Sequence, residues 1–349
     1  MTGRRVTIIG GGASGLMAAY TAASCGADVH VIEHKNRCAE KLRLTGNGKC
    51  NITNLDFTPR CYYRDDDSEI TRYFDRFGPR DTIDFFRGLG IGVTDRFGYV
   101  YPDGKDADGI AEALLNACRD LRVCFHTGET ADDIRKKEYG SVILATGGRS
   151  YRKTGSDGSG YRFLEKLEIP YTWVLPALCA LYSDDSFCSE YAGKRLIAEA
   201  AAIVDGEELF SDLGEVQILN GAVSGIPVLN ISRFISRGLH EEKRCFVRFH
   251  FDHIDPDALP GFLKERKLCR DLPPVTIEIR KTAGFERAQV CTGGIPFSAV
   301  DDQLQLRNAD GIYVCGEICD IDGRCGGYNL QWAWTSGYIA GKSAAGAYS

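Results

Sequence analysis

The feature that most constrains this chain is its opening, Arg5-Val-Thr-Ile-Ile-Gly-Gly-Gly-Ala-Ser-Gly15. A short apolar run ends in G-x-G-x-x-G, and small apolar residues follow from Ser14 to Cys25. Gly26 stops that stretch, and Asp28 to Glu33 (DVHVIE) then alternates like a strand. This order predicts a strand at 5–9, a helix at 14–25 and a second strand at 28–33, a β-α-β unit of about 30 residues. Gly10 suits the tight turn off the strand. Gly12 lets the backbone approach a pyrophosphate, and Gly15 lets helix and strand pack closely. The first helical turn offers Ala13 and Ser14 N–H groups and a positive dipole end to phosphate. Glu33, 23 positions after Gly10 (33 − 10), stands where an acid holds a ribose hydroxyl. A carboxylate there repels a 2′-phosphate, so FAD and NAD fit and the motif does not choose between them.

The remaining pattern extends this beginning. Residues 40–54 read as an irregular glycine-bearing loop, and 68–90 as helical, with Phe74, Phe77, Phe85 and Phe86 as core candidates. Tyr99 to Gly104 reads as a strand and turn. Ile110 to Leu121 reads as an amphipathic helix with Ala111, Leu114, Leu115 and Cys118 on one face. Ser141 to Ala145 is a buried strand closed by Thr146-Gly147-Gly148. From about 178 the texture changes. Strand-like runs occupy 195–204 and 244–251, a helix is expected at 229–239, and 255–274 reads as a linker or short helical excursion. A last core strand at 312–315 and a helix at 331–345 return to the opening pattern. The expected fold class is α/β: a discontinuous Rossmann-like domain, 1–177 and 288–349, with an inserted, mainly β lobe at 178–287.

Charge and cysteine usage narrow the function. A net charge of −6 argues against a nucleic-acid partner, and a small-molecule substrate is expected. No apolar run reaches the roughly 18 residues of a membrane span and no secretory signal is visible, so a cytoplasmic location is expected. There are 14 cysteines but no C-x-x-C pair, and the six histidines (30, 34, 126, 240, 250, 253) show no ligand spacing, so no metal is expected. Small buried thiols account for most of the cysteines.

Three further segments carry a resemblance. Thr45 to Asn54 reads TGNGKCNITN, Ala145 to Gly155 reads ATGGRSYRKTG, and Gly316 to Trp334 reads GEICDIDGRCGGYNLQWAW. With IIGGGASGLMAA at the start and VSGIPVL at 223–229, the chain resembles the YhiN/BaiN-type family of NAD(P)/FAD-dependent oxidoreductases, also labelled aminoacetone oxidases. The resemblance implies non-covalent FAD. Gly10, Gly12, Ala13, Ser14, Gly15 and Glu33 would take its ADP half, with Ala131 also in contact. Lys41, Gly46, Asn47, Gly48, Lys49, Cys50 and Asn51 would line the flavin side. Thr146 and Gly147 would lie near the pyrophosphate, and Gly316, Glu317, Asp322, Gly326, Gly327, Tyr328 and Asn329 would close over ribityl chain and ring. Gly326-Gly327 opening a helix would aim N–H groups at the ring edge where charge builds on reduction.

Two departures stand out. Lys49 replaces the family's arginine, keeping the charge but losing the planar fork. The helical piece of the insert is cut down to about 255–274. Flavin does the difficult step, so few catalytic residues are recognisable. Cys50 (redox), Asn51 and Tyr328 (proton donation) are the candidates, against plain packing, loop-holding and stacking roles. With no second G-x-G-x-x-G, NAD(P)H is expected only as a transient donor. The resemblance leaves open enone- or steroid-like reduction and amine oxidation. An RNA-modifying flavoprotein and a flavin-binding sensor without turnover are the alternatives.

Overall fold

The computed structural model describes residues 3–63, 67–251, 254–259, 261–265 and 272–347. His253 and much of 260–271 therefore lie outside the described residues. The chain forms two compact units, 1–173 with 293–349, and 174–292.

The first unit is built on a five-stranded parallel sheet. Its spatial order is Ile312–Val314, Ser141–Leu144, Arg5–Ile9, Asp28–Glu33, Cys124–Thr127. Four of these strands match the expected positions; Cys124–Thr127, short and half exposed, gives no apolar signal. The central strand and its neighbour are buried on both faces, and so read as continuous apolar runs. Helices Ala13–Ser24 and Tyr328–Ala344 pack against each other through glycine. A Cβ on Gly337 would lie 2.5 Å from the Ser14 carbonyl oxygen, and one on Gly341 2.6 Å from that of Ala18. Small residues here let two backbones approach, which is why neither helix shows a marked apolar stripe.

The helix expected over 68–90 is two helices, Asp67–Phe74 and Pro79–Gly88. Gly78 caps the second in extended conformation, and Pro79 lacks the N–H needed to continue the first. Phe74, Phe77 and Phe86 are buried as expected, whereas Phe85 is only partly covered. Helix Ala107–Asp120 buries Ala111, Leu114, Leu115 and Cys118, and the Asp106 side chain caps it by accepting from Gly109 N–H. A small antiparallel sheet joins Thr53–Asn54, Tyr99–Pro102 and Val93–Arg96.

The second unit holds a seven-stranded antiparallel sheet. Its core hairpin pairs Arg195–Val204 with Glu207–Leu219, the latter a 13-residue strand masked in the sequence by its charged start. Cys245–His250 pairs on the other side of Arg195–Val204. Helix Ile226–His240 buries Val228, Ile231 and Ile235 in the core of this sheet. Leu175–Ala177 pairs with Val290–Thr292, and both belong to this unit. The described part of 255–274 holds only short 3-10 turns, Pro256–Ala258 and Gly261–Leu263.

Candidate active site

Every residue assigned to the cofactor lies in the first unit. The three glycines of the Gly10–Gly15 motif have different surroundings. Gly10 has φ +107°, and a Cβ there would meet the Ala145 carbonyl oxygen at 2.4 Å. A Cβ on Gly15 would lie 2.0 Å from the Gly10 oxygen. A Cβ on Gly12 would meet nothing within 4 Å among the described residues. Two glycines are thus required by packing, and the middle one faces open space at a helix N-terminus. The N–H groups of the first turn lack intrahelical acceptors there. Ser14 turns its hydroxyl away, toward the position of Gly316.

Glu33 is 8% exposed and accepts two backbone hydrogen bonds, from Gly11 N–H at 2.8 Å and Lys35 N–H at 2.8 Å. It braces the turn before any ligand is considered, and each carboxylate oxygen retains acceptor capacity for a ribose hydroxyl. The Glu129 N–H donates to the Glu33 carbonyl oxygen, which sets the loop carrying buried Ala131 beside that strand end.

The 41–51 loop is held from below. Buried Arg43 pairs with Asp108 and with Glu112 (2.7 Å) on the helix Ala107–Asp120. Gly46, Asn47, Gly48 and Cys50 all take positive φ, and Cys50 N–H closes the loop on the Thr45 oxygen. Gly46, Asn47 and Lys49 are exposed at the loop's tip, while Cys50 and Asn51 are buried. The chain then runs under the last helix: Trp334 Nε1 donates to the Ile52 oxygen, and Thr53 Oγ1 donates to Gln331 Oε1.

Two of the catalytic candidates sit in surroundings that favour packing roles. Cys50 is fully buried, and burial pushes its thiol up to about 12, so it stays protonated and packs. Cys38, Cys118 and Cys315 are pushed up to about 12 in the same way. Tyr328 donates its hydroxyl proton to the Asp56 carbonyl oxygen at 2.7 Å, is 6% exposed, and has its pKa raised chiefly by burial. It packs edge-on to Tyr62, which itself donates to the Tyr328 carbonyl oxygen. Asn51 differs: its Oδ1 is buried without a hydrogen-bond partner among the described residues.

Gly326 (φ +128°) and Gly327 (φ +94°) open the helix Tyr328–Ala344 as expected, and no side chain caps it. A Cβ on Gly327 would lie 2.8 Å from the Thr53 carbonyl and 3.0 Å from Asn51 Oδ1. Asn329 holds the preceding loop through Gly323 N–H and the Gly323 oxygen. Asp322 is buried beside it, and its carbonyl oxygen accepts from Tyr63 N–H. Gly316 (φ +79°) receives Trp332 Nε1 on its oxygen. Glu317 accepts from Lys41 Nζ at 2.6 Å and from Ser150 Oγ at 2.9 Å. Ser150 and Gln331, both fully buried and hydrogen-bonded to segments of the candidate site, were not singled out from the sequence; a serine and a glutamine in apolar or loop context carry no distinguishing signal.

These residues fit a bound dinucleotide. Gly12 leaves a cradle open, and Asn51 Oδ1, Thr146 Oγ1 and Ser156 Oγ are buried with no hydrogen-bond partner among the described residues. Gly147 (φ +72°) backs onto Ser156, at 3.0 Å from a Cβ position to Ser156 Oγ. No group of three His, Cys, Asp or Glu side chains among the described residues is arranged to hold a metal. No helix among them is long and apolar enough to cross a membrane.

Parallel sheet, glycine turn, bracing glutamate and a second glycine-led helix together define a Rossmann-type dinucleotide-binding fold; with the relatives that follow, its class is that of the FAD-dependent oxidoreductases. The chain belongs to the family described as HI0933-like protein Rossmann domain, whose profile matches residues 4–343. It is 35% identical to a 3-dehydro-bile acid delta(4,6)-reductase of Clostridium scindens, across 98% of this chain and 99% of that protein. It is 24% identical to a ribosomal RNA dihydrouridine synthase of Escherichia coli, across 96% of each. Among solved structures it shares its fold with a 3-ketosteroid-delta4-(5alpha)-dehydrogenase of Rhodococcus jostii (TM-score 0.56, 14% identity, 99% and 97% of the two chains).

Proposed function

We propose that this protein is an FAD-dependent reductase of carbon–carbon double bonds conjugated to a carbonyl in a small, flat, steroid-like molecule, with NAD(P)H as a visiting donor. The observation that carries this is the end-to-end 35% identity to the bile acid reductase, together with a site whose open cradle and orphaned polar atoms suit a dinucleotide. Amine oxidation has no comparable support. Bound FAD would supply reversible hydride chemistry. The chain's own residues do the rest. First-turn N–H groups at Gly12 to Ser14 meet the pyrophosphate, Glu33 accepts a ribose hydroxyl, and Asn51 Oδ1 and Thr146 Oγ1 take polar groups of the cofactor. The N-terminus of the helix Tyr328–Ala344 favours negative charge on the reduced ring. In the net reaction the substrate's β-carbon gains a hydride and its α-carbon a proton, while NAD(P)H is oxidised.

A second reading is reduction of uridine in RNA. It is favoured by the identity to the E. coli protein and by a second one, 25%, to the Haemophilus influenzae ribosomal RNA dihydrouridine synthase. The net charge of −6 weighs against it.

The test is anaerobic. The purified protein is scanned for flavin absorbance and titrated with NADH and NADPH. The reduced form is then mixed in turn with a 3-keto-4-ene steroid, a uridine-rich ribosomal transcript and aminoacetone. Reoxidation by the steroid alone supports the first reading, and reoxidation by the transcript alone replaces it with the second. A protein that carries no flavin and binds none on addition of FAD overturns both.

A further inference from the structure

Three side chains from three different motifs close a ring beside the nucleotide turn. Lys41 Nζ donates to Glu317 Oε2 at 2.6 Å and to Ser150 Oγ at 2.7 Å, and Ser150 Oγ donates to Glu317 Oε1 at 2.9 Å. Ser150 is fully buried; the Lys41 and Glu317 side chains are 28% and 19% exposed. Each member is tied to the turn. Lys41 follows Ala39, whose N–H donates to the Gly11 oxygen. Glu317 follows Gly316, which sits against Ser14. Ser150 follows Thr146 with its orphaned hydroxyl.

Such a ring is a poor way to gain stability. Withdrawing an ammonium and a carboxylate partly from water is costly, and an apolar replacement of such a pair is often neutral or better. Its distinctive property is electrostatic: the charges cancel while the pair is intact, and either one alone acts strongly in a half-buried site. Lys41 has three N–H groups, and the ring uses two; the third has no partner among the described residues.

We propose that Lys41 and Glu317 form a balanced charge pair that sets the reduction potential of the bound flavin, with Ser150 as the positioning residue that fixes their separation. This rests on the FAD reading above. Reduction adds negative charge to the ring. Removing the ammonium therefore leaves a carboxylate that opposes reduction, and removing the carboxylate leaves an ammonium that favours it. The two single substitutions must move the potential in opposite directions, a result that loss of a merely structural ion pair does not produce.

The experiment compares FAD-loaded wild type with Lys41→Met, Glu317→Gln, Ser150→Ala and the double variant Lys41→Met/Glu317→Gln. Midpoint potential is read by equilibration with a reference dye. The dissociation constant of sulfite, an anion that adds to oxidised flavin, is read by bleaching. Lys41→Met is expected to lower the potential and weaken sulfite about 10-fold, and Glu317→Gln to raise it and tighten sulfite about 10-fold. Ser150→Ala should move both readouts 2- to 3-fold at most, roughly, in either direction. The double variant, neutral again, should return to within about 3-fold of wild type; it also serves if a single variant folds poorly. Same-sign shifts in the two single variants overturn the proposal, as do shifts under 2-fold, roughly, at full flavin loading, or loss of flavin from every variant while wild type stays loaded. A wild type that binds no FAD is a different failure, that of the parent reading.

Discussion

The two glycine turns of the first unit, Gly10–Gly15 and Gly326–Gly327, look alike in sequence but are supported differently. The first is mostly local: Gly15 packs on the Gly10 oxygen within the β-α-β unit, although Gly10 itself backs onto the strand end at Ala145 and Thr146. The second depends on distant chain: Gly327 backs onto Asn51 and Thr53, and Gly326 onto Tyr99 and Asn54. Asn54 Nδ2 in turn donates to the Gly326 oxygen at 2.9 Å. A local turn keeps its role wherever its motif occurs. A turn assembled with chain as far as 272 positions away acquires one only from its neighbours.

Substitutions at the two turns separate these cases, and the largest effect belongs to the local turn. Gly15→Ala drives a Cβ to 2.0 Å from the Gly10 oxygen, where backbone must shift. It should cost more than about 3 kcal/mol in denaturant unfolding or abolish soluble expression. Gly327→Ala combines positive φ with a 2.8 Å approach to Thr53. A loss of about 2 kcal/mol with weakened flavin binding is expected. A stable Gly327→Ala protein with normal flavin content would break the claim that this turn is held by close packing.

Tyr328→Phe tests the packing role against the proton donor. Losing the bond to the Asp56 oxygen should cost about 1 kcal/mol with turnover within about 2-fold of wild type. A 100-fold fall in turnover, on the order expected for a lost general acid, would restore Tyr328 as a donor. Cys50→Ala should leave turnover unchanged and cost about 1 kcal/mol for the small cavity. In the native protein at pH 8, alkylation at Cys50 should be negligible, because burial keeps the thiol protonated up to about 12; rapid labelling there, read by mass spectrometry, would contradict its packing role. The smallest effect on stability is expected for Gly12→Ala, under about 1 kcal/mol, because its Cβ meets nothing within 4 Å. On the proposed reading, in which the cofactor approaches through that open space, the same change should weaken FAD binding by about 10-fold. Unchanged FAD affinity would show that the cradle at Gly12 is not used.

The β-α-β opening was legible because its signals are local. A buried parallel strand reads as an apolar run, a positive-φ turn needs glycine, and Glu33 falls at a fixed distance along one strand. The return of the chain to this sheet at 312–314, and the β character of residues 195–204 and 244–251, were legible for the same reason. The break at Gly78-Pro79 was written in the sequence too, but phenylalanine periodicity on both sides obscured it. What the residues alone left open was what each polar or reactive side chain does. Cys50 and Tyr328 are chemically competent residue types in motif positions. Burial and a hydrogen bond to Asp56, both set by distant packing, favour packing roles for them. Ser150 gained its place the opposite way, through Lys41 and Glu317, 109 and 167 positions off. By itself the sequence determined the nucleotide-binding frame, since backbone sterics and apolar periodicity act over a few residues. Only the tertiary structure decided which groups are charged, tethered or left with an unmet hydrogen bond, because desolvation and partner geometry depend on chain brought together from far apart.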